Sequence, residues 1–234
     1  MAAHRNAARH PPLEPLNRFD FPDPESCAAA LADALGAAVV ETLDQKARAT
    51  LALSGGRSPE KVLPLLAAKD IEWARVDVTL LDDRRVDIED PASNAGLVKR
   101  CFLDRGATEA RFIPLWTDDM DLDDGHLKPV LPVDVAYLGM GPDGHIASLF
   151  PADDRNQFER DGFAVISSEA PSAPHGRISL TLSELTKISK ICLHVTGTAK
   201  IDTLEQALSI PPTPRLPVSL LLDARSDVEV FICD

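Results

Sequence analysis

The run Gly139-Met140-Gly141-Pro142-Asp143-Gly144-His145-Ile146-Ala147-Ser148-Leu149-Phe150-Pro151 gathers the residue types best suited to chemistry. Imidazole titrates near pH 6.5, so His145 can accept and return a proton close to neutrality. Asp143, two residues earlier, is near enough to orient that ring or to share a ligand with it. The alternative for such a run is a surface turn with an incidental histidine, which the apolar strand ahead of it disfavours. No G-x-S-x-G elbow is present, so neither Ser54 nor Ser148 reads as an acyl-enzyme nucleophile.

A second group of residues suits anion binding. In Ser54-Gly55-Gly56-Arg57-Ser58-Pro59, glycines free the backbone N–H groups to approach an anion, and a following helix adds its dipole. A plain turn using glycine for positive φ is the competing account. The loop is neither a Walker sequence nor G-x-G-x-x-G, which disfavours ATP and NAD. Asp82-Asp83-Arg84-Arg85 offers a guanidinium for bidentate contact with an anion, Asp82 orienting Arg84, although alternating charges are more often a solvated turn. Arg177 and Lys200 stand at the edges of apolar segments and could reach a phosphate; each alone reads equally as a surface cation.

These residues need a frame that brings them together. Asp23 and Pro24 read as the cap and first position of a helix with Leu31, Leu35, Val39 and Leu43 on one face, ending near Lys46. Apolar strands are expected at 49–53, 76–81, 111–115, 133–138, 163–167, 191–196 and 228–233. Helices are expected after Ser58, after Ser93 or Asn94, and from Thr198, with Pro64 kinking or shortening the first of these three. Alternation of strand and helix predicts an α/β fold: a doubly wound, mostly parallel sheet with helices on both faces. In such sheets ligands bind beyond the carboxyl ends of the strands, where the loops at 54–59, 82–85, 139–145 and 197–200 fall. Residues 1–18 show no period and are expected to form a flexible N-terminal segment, leaving 19–234 as one domain.

Composition sets the outer limits. The 234 residues are 44% hydrophobic and 26% charged, with a net charge of −13, a balance typical of globular chains and hostile to a polyanion on any generic face. Nucleic-acid binding is therefore not expected, whereas a small phosphorylated ligand in a local cationic pocket is. No uninterrupted apolar run approaches 18 residues and no signal peptide is visible, so no membrane partner and a cytoplasmic location are expected. Cys27, Cys101, Cys192 and Cys233 lie far apart in sequence, and the six histidines show no H-x-x-x-H pairing. Reduced thiols and no structural zinc are the resulting expectations.

Taken in order, S-G-G-R-S-P at 54–59, D-D-R-R-V at 82–86 followed by Ser93-Asn94, the long run at 139–151, R-I-S-L-T at 177–181 and G-T-A-K at 197–200 resemble the 6-phosphogluconolactonase family. The resemblance lies within the wider group of sugar-phosphate isomerase folds and covers most of 24–234. It implies a modified Rossmann-like fold and hydrolysis of 6-phosphogluconolactone to 6-phosphogluconate in the oxidative pentose phosphate pathway, with no cofactor or metal. It also implies that His145 with Asp143 acts on the lactone, that Arg84, Asp82 and the loop Gly55, Gly56, Arg57 and Ser58 bind substrate, and that Arg177 and Lys200 hold the phosphate. Implied partners are a small sugar phosphate and, at most, a second copy: a monomer or homodimer. Two departures stand out. The family usually has Asp-Glu-Arg where this chain has Asp82-Asp83-Arg84, and the stretch from Trp116 to Val133 is shorter than the family's helix there. The nearest rivals are a glucosamine-6-phosphate deaminase, which continues Asp-Gly-His with Phe-Asn-Glu-Pro where this chain has Ser148-Leu149-Phe150-Pro151, and a sugar-phosphate sensor without catalysis.

Overall fold

The computed structural model describes residues 17–116 and 124–234. The chain opens with strand β1 (Asn17–Phe21), helix α1 (Pro24–Gln45), β2 (Ala49–Leu53), α2 (Pro59–Ala67), β3 (Val76–Leu80) and β4 (Asp82–Arg84). It continues with α3 (Asn94–Cys101), β5 (Arg111–Phe112), β6 (Val135–Gly139), β7 (Val165–Glu169), β8 (Gly176–Leu180) and α4 (Leu182–Lys187). It closes with β9 (Lys190–Thr196), α5 (Thr198–Ser209), α6 (Pro217–Ala224) and β10 (Glu229–Cys233).

Seven strands form a wholly parallel sheet in the order β1-β10-β9-β6-β2-β3-β5. From β2 the chain builds outward through β3 and β5; after β6 it builds the other way through β9 and β10. The order therefore reverses between β2 and β6, which opens a crevice between the loops leaving their carboxyl ends. The first of those loops carries Ser54 to Ser58 and the second carries Gly139 to His145. The expected parallel α/β sheet is thus present.

Burial explains why the central strands read so clearly. All five residues of β2 and of β3 are buried, the signature of parallel strands covered on both faces. Helix α1 is capped as its sequence directs, Asp23 accepting a 2.7 Å hydrogen bond from the Ser26 N–H with Pro24 next to it. It sinks Leu31, Leu35 and Val39 to zero exposure, each worth about 1.5–3 kcal/mol relative to leaving it in water. By length and hydropathy α1 would pass as a membrane span; here its apolar side packs on α2, β9 and β10.

Four expectations change. Strand β1 begins at Asn17 and pairs with β10 along the sheet edge, so Asn17 and Arg18 belong to the fold; residues 1–16 lie outside the described residues. The segment at 111–115 is strand only over Arg111–Phe112. Helix α2 continues through Pro64 to Ala67, because the missing N–H removes a single intrahelical bond from a helix whose Val62, Leu63 and Leu66 are fully buried. A second, antiparallel sheet β4-β8-β7 takes in Asp82 to Arg84, which are strand rather than solvated turn. Where the Trp116–Val133 stretch is short, Gly125–Val130 forms a 3-10 helix, and 117–123 lie outside the described residues.

Candidate active site

The crevice at the sheet reversal is a cleft of about 520 Å³ lined by Ser54 to Pro59, Asp82, Arg84, Asn94, Tyr137, Gly139 to Pro142, His145, Ala147, His194 and Lys200. A larger groove of about 660 Å³ lies between Asp124, Lys128, Arg160 and Lys187. It contains none of the motif residues and mixes charges of both signs, so the cleft is the better candidate.

His145 is held by its own turn. The Gly141 N–H donates to the His145 carbonyl at 2.9 Å and the Gly144 N–H to the Gly141 carbonyl at 3.0 Å, which folds the ring back over residue 141. A Cβ at Gly141 would lie 2.1 Å from His145 Nδ1, so only glycine permits this approach. Nδ1 meets Asp143 Oδ1 at 2.6 Å, and the His145 N–H donates to the same oxygen at 3.3 Å. Burial pushes the Asp143 carboxyl up, but the hydrogen bonds and charge of His145 outweigh it and leave the group below its usual range. An ionised Asp143 makes Nδ1 the donor, so the lone pair of the neutral ring sits on Nε2. The ring also packs on Phe150, centroids 4.9 Å apart. Two residues on, Ala147 takes φ +48°, a left-handed conformation uncommon outside glycine, at the wall of the cleft.

Asp82 is 8% exposed. Its Oδ2 accepts from Ser148 Oγ at 2.6 Å, and its carbonyl accepts from Asn94 Nδ2 at 2.9 Å. The histidine turn and the β4 strand are therefore coupled through Ser148 and Asp82. Asn94 lies against the glycine loop: a Cβ at Gly55 would fall 1.7 Å from its Oδ1, and that oxygen is buried with no hydrogen-bond partner. Ser54 joins the two central loops, its N–H donating to the Tyr137 carbonyl at 3.1 Å and its Oγ accepting from the Gly139 N–H at 3.3 Å.

Asp83 turns away from the cleft. It is 3% exposed, and its carboxylate accepts from the N–H groups of Arg84 and Asn94 at 2.7 Å each and of Ala95 at 3.2 Å. It thereby serves the first turn of α3, along with the capping hydroxyl of Ser93. The shorter Asp side chain is suited to that contact. Burial pushes its carboxyl up to about 6, against the pull of the three N–H donors.

Cations line the same cleft. Arg57 is exposed and Ser58 half-buried at the start of α2, where Ser58 Oγ lies 3.4 Å from Thr196 Oγ1. Lys200 is half-buried in the first turn of α5; burial first, and then the nearby Arg57 charge, hold its ammonium below the usual value. Arg84 lines the same cleft and donates to the Ala92 carbonyl. Two cations beside two helix N-termini are an arrangement suited to an anion.

Two of the expected residues are not in the cleft lining: Asp143, which reaches the cleft through its contact with His145, and Arg177. Arg177 is 7% exposed and donates to the carbonyls of Pro174 and Gly176. The β4–β8 register sets it opposite Arg84, and burial followed by the Arg84 charge lowers its pKa. The cleft lining thus does not place Arg177 beside Lys200; Arg177 pairs with Arg84 across β4 and β8. Residues that the sequence reading missed at the cleft are Asn94, Tyr137 and His194. The last two are buried strand residues joined by a 2.9 Å contact between Tyr137 Oη and His194 Nδ1. Desolvation, then the Lys200 charge, push His194 down to about 4, so its ring is neutral.

The family model for glucosamine-6-phosphate isomerases/6-phosphogluconolactonase matches residues 22–231. The 6-phosphogluconolactonase of Mesorhizobium japonicum is 38% identical over 222 residues, covering 90% of this chain and 92% of that protein. That of Pseudomonas putida is 37% identical over 218 residues, covering 89% and 90%. The crystal structure of a 6-phosphogluconolactonase from Shewanella baltica superposes with a TM-score of 0.85 at 31% identity, covering 94% of this chain and 98% of that one. The match runs from the end of β1 into β10 and so takes in every loop of the cleft, and with relatives this similar along nearly their whole length the chain belongs to the glucosamine-6-phosphate isomerase/6-phosphogluconolactonase family.

Proposed function

We propose that the chain is a 6-phosphogluconolactonase, hydrolysing the δ-lactone of 6-phosphogluconic acid in the cytoplasm without a cofactor. The observation that carries this reading is the shared cleft: an imidazole oriented by a carboxylate at 2.6 Å and a pair of cations, Arg57 and Lys200, at helix N-termini. A sugar-phosphate lactone needs both an acid-base group at its ester carbon and an anion site at its tail.

In the proposed reaction His145 Nε2 takes a proton from water as the water oxygen attacks the lactone carbonyl, and returns it to the ring oxygen as the C–O bond breaks. Asp143 holds the Nδ1–H tautomer and stabilises the imidazolium between those two events. Arg57 and Lys200, with the N–H groups at Gly55, Gly56 and Ser58, hold the phosphate. Arg84, held by the Ala92 carbonyl, and Asp82, tied to Ser148, bind the sugar. Holding the tail fixes the carbonyl against the base, so that remote binding energy lowers the barrier.

The test is a proton-release assay with 6-phosphogluconolactone, corrected for spontaneous hydrolysis. Turnover above that background that disappears in His145→Ala supports the reading. Binding of 6-phosphogluconate without turnover would instead make the chain a sensor, and ammonia release from glucosamine 6-phosphate would make it a deaminase. The deaminase reading is weakened by Phe150, an apolar ring packed on His145 in the segment where the deaminases carry a catalytic glutamate.

A further inference from the structure

Three donor-bearing side chains that are far apart in the sequence meet beneath the cleft floor. In the β9–β10 register His194 pairs with Phe231 and Thr196 with Cys233. Residues two apart on a strand share a face, so His194 and Cys233 project to the same side, onto which α1 packs and delivers Cys27. Cys27 Sγ, Cys233 Sγ and a ring nitrogen of His194 all lie within 4.8 Å of one another. The three residues are 0%, 1% and 5% exposed.

We propose that Cys27, Cys233 and His194 form a site for one thiophilic d10 cation, of which Zn2+ is the representative. The geometry supports this in two ways. Cys27 Sγ lies 3.5 Å from His194 Nε2; a tetrahedral ion with Zn–S of about 2.3 Å and Zn–N of about 2.0 Å sets its sulfur and nitrogen ligands about 3.5 Å apart. The other ring nitrogen, Nδ1, is already engaged by Tyr137 Oη at 2.9 Å. That contact fixes the ring with Nε2 toward the sulfurs, the outer-shell arrangement that histidine metal ligands use.

Binding balances without any redox change. The ion forms two Zn–S bonds and one Zn–N bond, the thiols of Cys27 and Cys233 each lose a proton to solvent, and the neutral ring donates its lone pair. The two thiolates cancel the ion's charge, which offsets the repulsion from Lys200 near His194. Tyr137 and His194 line the cleft, which provides a route in, and three protein donors leave a fourth position for water. The site would clamp α1 to β9 and β10, and it is independent of the reaction proposed above.

The test uses the full-length chain, reduced and freed of metal, and titrated with Co2+ under anaerobic conditions. The expected result is one equivalent bound with a thiolate-to-cobalt charge-transfer band, displaced by Zn2+. The band is lost in Cys27→Ser and Cys233→Ser and kept in Cys101→Ser and in a chain with His4 and His10 replaced. Absence of the band in the wild type, or its survival in either Cys27→Ser or Cys233→Ser, would overturn the proposal. Should those two variants fail to fold, the wild type still decides: two protons released per Zn2+ bound support the site, and none or one contradicts it.

Discussion

In the proposed reaction the residues of the cleft carry separable tasks. His145 is proposed to supply the proton transfer, so His145→Ala is expected to lower kcat by about 10²–10⁴-fold while 6-phosphogluconate binding changes little. Lys200 is proposed to hold the phosphate, so Lys200→Ala is expected to raise KM by about ten- to a hundredfold, as loss of a charged hydrogen bond of roughly 1.5–3 kcal/mol implies. Steady-state kinetics paired with calorimetry of product binding separate the two; equal loss of product affinity in both variants would remove the distinction. The glycine-rich turn with its histidine was legible because its residue types have few other uses at a strand exit. Tyr137 and His194 were not, since buried residues within apolar strands read as core until the sheet register places them at the cleft wall. The burial of Arg177 was not legible for a related reason: a cation at a strand start looks exposed in sequence, and only the antiparallel pairing with β4 shows it buried opposite Arg84.

At the scale of elements, the loops depend on packing that the sequence does not announce. Gly55 permits α3 to bring Asn94 against the loop after β2. Gly55→Ala is expected to cost about 1–3 kcal/mol through overpacking and to reduce activity more than Gly36→Ala in α1, where a Cβ meets only side-chain atoms at 3.5 Å or beyond; urea melts with parallel assays would show it. Asp83 at the start of α3 links stability to pH. Its folded value of about 6 lies above the unfolded one, so the native state holds the extra proton between the two, and its contribution is full below about pH 4 and lost as pH rises through 6. The stability of wild type relative to Asp83→Asn is therefore expected to rise by about 2–3 kcal/mol from pH 7 to pH 4, measured by denaturant melts along that series; a flat difference would contradict it. Central strands were legible because continuous burial selects continuous apolar runs. Strand β1, exposed at four of its five positions, was not, because an edge strand is held mainly by backbone pairing, here reinforced by Phe19 stacked on Phe231 at 5.2 Å. The β4-β8-β7 sheet escaped for lack of local turns joining β4 to its partners.

Over the whole molecule, the reversal of strand order between β2 and β6 turns separate stretches of chain into one cleft. A chain of net charge −13 still presents Arg57, Arg84 and Lys200 there, a local field opposed to the global one and scaled to a small dianion rather than a polymer. That one cleft joins a base to an anion site is the central claim. The direct measurement is kcat/KM for 6-phosphogluconolactone against gluconolactone lacking the phosphate, in the wild type and in a variant carrying Arg57→Ala with Lys200→Ala. The account predicts a strong preference for the phosphorylated lactone that collapses in the double variant. Equal turnover of both lactones by the wild type, or a preference that survives loss of both cations, would contradict it.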